Sequence, residues 1–431
     1  MKKFLIISAT LLLAYSAEAS RDSLVMDSLN GVLHVSERTV PPRLVRLGNE
    51  NIRALYEACS RARVAVVANQ TSVISDGREE DSVHLVDTLL ALGIDVRKVF
   101  APEHGFRGES HNGAYIEDSV DPTTGLPILS LHGAYRKPTA ESLEDIRVII
   151  FDIQDVGARF YTYLSSLFLV MEAAAENDKV VVVLDRPNPH GHQIAGPNRS
   201  ADWKSFVGQV PVPVVHGMTL GEMARLFNGE KWLNGGIQCD LIVIPCEGYA
   251  HSDVWYPNIA PSPNLPTPES IALYPSLCPF EPTVVSVGRG TQTPFECIGM
   301  PKGIWGSYAF TPQPIEGAAP RPKHEGTLCF GQNLRGLGEA WMSAPSSFSW
   351  NYIPSYAKMW NGTNPGDAFI TASNSLARLS GDRSLERVIS GELEMRDFVE
   401  SWLIDLRAFD VLRQPYLLYP VQRLNVKKRL D

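Results

Sequence analysis

The chain has 431 residues, 44% of them hydrophobic, and its 39 Lys and Arg residues stand against 48 Asp and Glu residues for a net charge of −9. An acidic balance without a basic run argues against nucleic acid and anionic membranes as partners. The chain is too long for one ordinary hydrophobic core, so we expect two domains.

The first nineteen residues have the three parts of a cleaved secretory signal. A basic start (residues 2–3) precedes an apolar run over residues 4–13, and Ala17 and Ala19 are the small residues of a cleavage site. The apolar run is about half of the roughly 20 residues that a membrane-spanning helix needs. We therefore expect residues 1–19 to be removed and the mature protein to be exported, periplasmic or secreted, without insertion into the membrane.

Five apolar, β-branched runs stop abruptly at polar residues. They are Val64–Ala68, Val96–Phe100, Val148–Phe151, Val180–Leu184 and Leu241–Ile244. Such continuous runs indicate strands covered on both faces, as in a parallel sheet. Helical patterns lie between the runs, including one over residues 160–176 and one opened by the capping box Thr219–Glu222. Strand alternating with helix predicts an α/β fold, a Rossmann-like layered domain with a mainly parallel sheet.

The pattern changes after about residue 260. Four prolines within eight residues form a stiff connector: Pro261, Pro263, Pro266 and Pro268. Beyond them short strand patterns mix with helical ones. We predict a Rossmann-like catalytic domain over residues 40–262 and a smaller C-terminal α+β auxiliary domain over residues 263–431.

In an open α/β sheet, ligands bind beyond the carboxyl ends of the strands. Four of the predicted strands end in polar clusters at that edge, and this concentration indicates an active site. The clusters are Asn69 with Gln70, Glu103 with His104, Asp152 with Asp155, and Asp185 with Arg186 and Asn188. Neither a dinucleotide-binding G-x-G-x-x-G nor a P-loop is present, and G-x-S-x-G and H-E-x-x-H are missing as well. We therefore expect no cofactor.

Paired carboxylates are the remaining chemistry, and glycoside hydrolysis typically uses two of them. Glu103 follows a buried strand, a setting that suits a general acid, although its carboxylate would also serve to tie down the next loop. For Asp155, a structural role as the N-cap of the following helix explains the sequence equally well. Asp185 is either an acceptor for sugar hydroxyls or the partner that holds Arg186.

Histidines near the strand ends raise the alternative of a metal site. His104, His132 and His216, together with Asp152 or Asp185, have the donor atoms for a divalent ion. Their spacing is irregular, and His216 precedes the capping box, where a structural role is favoured. We predict no metal.

Two arginines, Arg159 and Arg289, are candidates for binding a carboxylate through two parallel hydrogen bonds. The lactyl group of muramic acid would supply such an anion. An internal salt bridge explains either arginine equally well.

Longer motifs resemble the exo-β-N-acetylmuramidase (NamZ-type) family of glycoside hydrolases, in the same order over nearly all of the chain. They are Asn69–Thr71, Ala101–Gly105 with Arg107-Gly108, Phe151–Tyr163, Leu184–Pro189, His216–Thr219, Pro261–Thr267 and Gly288–Thr291. The run around Asp152 is the most specific. The resemblance implies a Rossmann-like domain, a smaller C-terminal domain and a cleft between them.

The resemblance also implies a function: release of N-acetylmuramic acid (MurNAc) from the non-reducing end of peptidoglycan-derived β-1,4-linked glycans, in cell-wall turnover or recycling and without a cofactor. It points to Glu103 as the catalytic glutamate, with His104, Asp152 and Asp155 as candidates for the second catalytic group. The expected substrate-binding residues are Asn69, Gln70, Arg107, Arg159, Tyr161, Asp185, Arg186, Asn188, His216, Asn264 and Arg289.

The chain departs from the family pattern at one turn. Glu281-Pro-Thr-Val284 stands where a Glu-Gly-Thr-Asn-like turn is expected, and proline fixes φ near −65° and removes a donor. Two other functions fit the sequence: an exported protein that binds muropeptide sugars without catalysis, and a metal-dependent phosphoesterase or amidase.

Overall fold

Strands and helices follow the apolar patterns of the sequence in the computed structural model, which describes residues 24–41, 44–75, 82–103, 105–107, 118–133 and 135–422. The expected secretory signal and His104 lie outside the described residues. Within the described ranges no helix is both long enough and apolar enough to cross a membrane.

The strands are β1 (Val25–Asp27), β2 (Val32–His34), β3 (Arg63–Ala68), β4 (Val73–Ile74), β5 (Val83–His84), β6 (Asp95–Ala101), β7 (Ser119–Val120), β8 (Pro127–Ser130), β9 (Val148–Asp152), β10 (Val180–Leu184), β11 (Gln193–Ala195), β12 (Asp240–Ile244), β13 (Cys297–Met300), β14 (Tyr308–Phe310) and β15 (Cys329–Asn333). The helices are α1 (Ile52–Cys59), α2 (Leu85–Ala91), α3 (Tyr163–Glu176), α4 (Leu220–Gly229), α5 (Pro268–Leu277), α6 (Arg335–Ser343), α7 (Ile353–Thr363), α8 (Ser373–Ser380), α9 (Ser384–Ser390) and α10 (Met395–Arg413).

A seven-stranded sheet forms the centre of the first domain, in the order β12-β10-β9-β3-β6-β8-β7. Neighbouring strands run parallel except at the edge, where β7 is antiparallel to β8. The central strands are buried on both faces, since residues 64–68 and 149–152 have no exposed surface. This confirms the predicted α/β class with a mainly parallel sheet.

The C-terminal domain is smaller and mixes a three-stranded antiparallel sheet, β13-β15-β14, with helices α6 to α10. One cluster of buried apolar side chains runs without a break from the α3 face of the central sheet into this domain, from Leu167 to Trp350 and Trp402. Because the two domains share this core, the walls of any cleft between them are held in place.

Local sequence sets the helix that borders this cleft. The pattern predicts a helix from residue 160, but α3 begins at Tyr163. The backbone just before these residues is engaged elsewhere, because Ala158 forms a β-bridge with Val215 and the Arg159 N–H donates to the Val214 carbonyl at 2.7 Å. Residues 160–162 therefore form the turn that leads into α3.

Candidate active site

The order of the central strands creates a crevice between β3 and β9. The chain leaves β3 for β6 on one side of the sheet and leaves β9 for β10 on the other. Ligands bind at such switch points, beyond the carboxyl ends of the strands. Residues 69–71 follow β3 and residues 153–155 follow β9, so the predicted polar clusters do meet at this edge. Two cavities open nearby: Glu103 lines one of them and Arg186 lines the other.

The first cavity lies between the two domains and has a volume of about 160 Å³. Glu103, at the end of β6, and residues 160–163 form one wall, while Glu281 and Arg289 form the facing wall. A neighbouring cavity of about 350 Å³ shares Glu281 and Arg289. We call these two adjoining cavities together the interdomain cleft.

The Glu103 side chain is half-buried and held at the cleft by hydrogen bonds. The Thr162 hydroxyl donates to Glu103 Oε2 at 2.8 Å, and Tyr163 Oη donates to the Glu103 backbone carbonyl at 3.2 Å. Behind it, Asn69 Nδ2 donates to Tyr163 Oη at 2.9 Å. The carboxylate and the backbone carbonyl of Glu103 are thus both held by the start of α3, which keeps Glu103 in the wall of the cleft.

The tyrosines of this wall act as hydrogen-bond donors. Burial raises the pKa of the Tyr161 and Tyr163 phenols well above the usual value, so both keep their protons. Tyr161 Oη donates to the Pro261 carbonyl at 2.8 Å, and Gln70 Nε2 donates to the same carbonyl at 3.3 Å. Gln70 and Tyr161 therefore anchor the connector where it passes along the cleft.

Glu281 is a second carboxylate in the cleft that the sequence patterns did not single out as a site residue. It lies on the turn with the unusual proline, and Lys323 supports this turn from beneath. Lys323 Nζ lies 2.6–3.2 Å from the backbone carbonyls of Phe280, Glu281, Thr283 and Val285. Burial lowers the pKa of Lys323 to about 8. Four carbonyls around one ammonium group hold Glu281 in the cleft wall.

Arg289 forms an ion pair with Glu281, in which Nη1 donates to Oε1 at 2.7 Å. About a quarter of the Arg289 side chain is exposed, and Arg321 lines the neighbouring part of the cleft. Asn264 also lines the cleft, and its buried Oδ1 has no hydrogen-bond partner. The wall formed by the C-terminal domain thus offers cations to an anionic ligand and an acceptor to a hydroxyl or amide group.

Asp152 does not reach the interdomain cleft. It is completely buried, its Oδ1 accepts from Arg186 Nε at 2.7 Å, and its Oδ2 accepts from Asn49 Nδ2 at 3.1 Å. Its role in this structure is to fix the Arg186 guanidinium, which lines the second cavity at this edge.

Asp185 neither holds Arg186 nor lines a cavity. Its carboxylate accepts from Thr219 Oγ1 at 2.7 Å, from Tyr419 Oη at 2.6 Å and from the Gly221 N–H at 2.8 Å. Burial raises its pKa to about 6. Asp185 therefore joins β10 to the start of α4 and to the end of the described chain.

Asn188 and His216 brace the same region. Asn188 Nδ2 donates to the Met218 carbonyl at 2.8 Å, and His216 Nδ1 accepts from the Met218 N–H at 3.3 Å. Burial lowers the pKa of His216 to about 3, so this ring is neutral. Both side chains support the turn before α4, as the structural alternative for His216 anticipated.

The remaining two arginines are engaged within the protein. Arg107 pairs with Asp87 at 3.0 Å and Asp121 at 2.9 Å. Arg159 is buried, and its guanidinium donates to the carbonyls of Pro197, Val212 and Leu379 at 2.7–2.8 Å. Neither arginine lines the interdomain cleft.

Asp155 lies behind the cleft wall. Its Oδ1 accepts the N–H of Gly157 at 2.6 Å, and its Oδ2 has no hydrogen-bond partner. Burial raises the pKa of this carboxyl to about 7. Asp155 therefore caps the turn after β9 and holds a proton through the acidic range.

This titration predicts a pH-dependent change in stability. An unfolded Asp releases its proton near pH 4, so between about pH 4 and 7 the native state binds more protons and loses stability as the pH rises. Asp155→Asn removes this loss. The free energy of unfolding of this variant, relative to that of the wild type, should therefore rise by roughly 1–4 kcal/mol from pH 4.5 to pH 8. Urea denaturation at both pH values measures it. Asp202→Asn, at an exposed position, is the control. An equal difference at both pH values would contradict the assignment.

In the described part of the chain, no three His, Cys, Asp or Glu side chains are placed to hold a metal ion together. His104 is outside that part, and His216 faces the backbone of its own turn.

Comparison with known proteins agrees with the resemblance seen in the sequence. Residues 64–269 match the N-terminal family model of exo-β-N-acetylmuramidase NamZ, and residues 272–419 match its C-terminal model. A protein of Bacillus subtilis (strain 168), peptidoglycan β-N-acetylmuramidase NamZ, is 36% identical over 341 residues, which are 76% of this chain and 80% of the relative.

Two crystal structures of DUF1343 family proteins from Bacteroides fragilis NCTC 9343 have the same fold. One is 39% identical with a TM-score of 0.77 and is aligned over 88% of this chain and 99% of its own. The other is 27% identical with a TM-score of 0.72, over 88% and 100%. Fold and sequence thus agree over both domains, and the chain belongs to the exo-β-N-acetylmuramidase NamZ family.

Proposed function

We propose that the protein is an exo-acting glycoside hydrolase that releases MurNAc from the non-reducing end of β-1,4-linked glycans derived from peptidoglycan. The observation that carries the proposal is the interdomain cleft, which brings the carboxylates of Glu103 and Glu281 together in a member of this family. Glycosidases typically use such a pair around the scissile bond.

Glu103 is the proposed general acid, which protonates the oxygen that leaves the anomeric carbon. Its contact with the Thr162 hydroxyl at 2.8 Å orients the carboxyl group in the wall of the cleft. Water then takes the place of the leaving sugar, on a route helped either by Glu281 or by the acetamido oxygen of MurNAc itself. His104, Asp152 and Asp155 are the candidates that the sequence offers for the second group; we propose Glu281 instead, because it lies in the cleft.

The match of residues 64–269 and 272–419 to the two family models of exo-β-N-acetylmuramidase NamZ supports an exo mode of action. We further propose that the activity serves cell-wall turnover or recycling outside the cytoplasm, since residues 1–19 have the pattern of a secretory signal.

The direction of cleavage tests the proposal. The purified protein should release free MurNAc from MurNAc–GlcNAc and leave GlcNAc–MurNAc intact, because only the first dimer has MurNAc at its non-reducing end. Mass spectrometry distinguishes the products. Equal cleavage of both dimers would contradict the specificity for MurNAc at the non-reducing end, and cleavage of neither would contradict hydrolysis.

Arg289 is the proposed ligand of the lactyl carboxylate. Its guanidinium faces the cleft beside Glu281, and a charge-assisted hydrogen bond contributes about 1.5–3 kcal/mol. Arg289→Gln should therefore raise KM for MurNAc–GlcNAc by roughly 10- to 100-fold, with a smaller change in kcat. Steady-state kinetics checks this, with the exposed Arg396→Gln as control. A KM equal to that of the control would overturn this role.

A further inference from the structure

A second cavity, of about 500 Å³, opens at the same edge of the central sheet. It lies between residues 44–50, which precede α1, and residues 254–259, and the ends of β3, β9 and β10 form its floor through Thr71, Gln154 and Arg186. It shares no lining residue with the interdomain cleft. This edge of the sheet therefore has two separate cavities.

The connector separates these two spaces. Residues 254–259 line the second cavity and residues 262–265 run along the interdomain cleft. Between them the carbonyls of Ala260 and Pro261 are held by Gln70, at 3.2 and 3.3 Å. A ligand in one space does not compete directly for the lining groups of the other.

Two polar groups in the second cavity are buried without their full set of partners. Arg186 and Gln154 are 7% and 1% exposed, and Arg186 Nη2 and Gln154 Oε1 have no hydrogen-bond partner. Asp152 fixes the guanidinium through Nε, so its orientation is set before a ligand arrives. Unsatisfied buried polar groups are rare in folded proteins and often mark a site that a ligand completes.

The rest of the lining is largely apolar. Trp255, Ile259 and Val73 supply aromatic and aliphatic surface. Glu50 also lines the cavity, but its Oε2 accepts the N–H of Leu47 at 2.8 Å. The cavity thus has a fixed guanidinium, an unpaired amide oxygen on Gln154 and an indole ring. This set matches a compact ligand that has a carboxylate, a hydroxyl or amide donor, and an apolar ring face.

We propose that the second cavity is a non-catalytic binding site for a carboxylate-bearing sugar, with Arg186 binding the carboxylate, Gln154 accepting from a hydroxyl or amide, and Trp255 packing on the ring. The ligand class rests on the proposed function, because muramic acid is a sugar with a carboxylate. Two sources supply it: the released monosaccharide, or a further muramic acid unit of the same glycan.

Calorimetric titration with MurNAc tests this proposal. Trp255→Ala should bind one molecule of MurNAc fewer per chain than the wild type, and Arg186→Lys should weaken that site at least tenfold because lysine lacks the planar fork. Tyr56→Ala, half-exposed on α1 and outside both spaces, should bind as the wild type does. Thermal unfolding verifies that each variant is folded.

Neutral N-acetylglucosamine serves as the ligand control, since it lacks the lactyl carboxylate and should leave the second cavity empty. The proposal is overturned if a folded Trp255→Ala binds MurNAc with wild-type number and affinity, or if N-acetylglucosamine fills the same site equally well. GlcNAc–MurNAc separates the two sources: binding in the second cavity indicates a unit within the glycan, and exclusion indicates the free monosaccharide.

Binding is measured without turnover, so it is independent of hydrolysis. A protein that binds the additional MurNAc but leaves MurNAc–GlcNAc intact would refute the proposed function and retain this site. If the wild type hydrolyses the dimer but Trp255→Ala loses no MurNAc binding, the second site is refuted and the proposed function is retained.

Discussion

Glu103→Gln should fold like the wild type and lose about 10²- to 10⁴-fold in kcat on MurNAc–GlcNAc, the contribution typical of general acid–base catalysis. The amide has the shape of the carboxyl group and still accepts from the Thr162 hydroxyl, which lies 2.8 Å from Glu103 Oε2. It has no acidic proton to give to the leaving oxygen. The change should therefore fall on kcat, with KM nearly unchanged.

Matched measurements separate chemistry from folding. Glu144→Gln makes the same substitution at an exposed position and should keep wild-type kcat and melting temperature. Thr162→Val removes the hydroxyl that orients Glu103 and should give an intermediate loss. A Glu103→Gln variant within tenfold of wild-type kcat would show that another group supplies the proton.

Asp152→Ala should lower the free energy of unfolding by about 3–5 kcal/mol, the cost of leaving a buried charge without its partner. Asp152 and Arg186 have 0% and 6% of their side chains exposed, and 2.7 Å separates Oδ1 from Nε. The substitution also removes the acceptor of Asn49 Nδ2. Urea denaturation measures the loss.

Two further variants control this result. Glu57→Ala breaks the surface ion pair with Arg53, in which the side chain of Glu57 is 64% exposed and that of Arg53 is 90% exposed. This variant should lose at most about 1 kcal/mol of the free energy of unfolding. The double variant Asp152→Ala/Arg186→Met should regain part of the stability, because no buried charge remains. The assignment fails if Asp152→Ala costs no more than Glu57→Ala.

The sheet could be predicted from sequence because its signal is local. Residues 64–68 and 180–184 form continuous apolar runs, and in the structure both become strands in the centre of the sheet. Glu103 was found for the same reason, since it follows a buried strand directly. The C-terminal domain was predicted from the change of pattern after about residue 260, and the family resemblance implied it as well.

Partners of polar side chains could not be predicted, because they come from distant segments. Asp152 and Arg186 are 34 residues apart, and only the pairing of β9 with β10 brings them together. Asp152 is the last residue of β9 and Asp185 follows β10 directly, yet Asp185 accepts from Tyr419, 234 residues away. A carboxylate at a strand end has the same local sequence signal whether it faces a cavity or a neighbour.

Glu281 was missed for a related reason. Nothing in the local pattern Glu281–Val284 distinguishes a cleft residue from an ordinary turn, and its position depends on how the C-terminal domain packs on the first. The contacts of Lys323 with four backbone carbonyls show how that position is kept.

Hydrolysis by the protein's own carboxylates is tested most directly by incubating the purified protein with MurNAc–GlcNAc, with and without EDTA, and following the products by mass spectrometry. We expect free MurNAc and N-acetylglucosamine at the same rate in both samples, and a rate lower by at least about 10²-fold for Glu103→Gln. No product after long incubation, with the dimer still protecting the protein against thermal unfolding, would contradict hydrolysis and indicate a binding protein. Loss of activity with EDTA would contradict a mechanism based on the protein's own carboxylates.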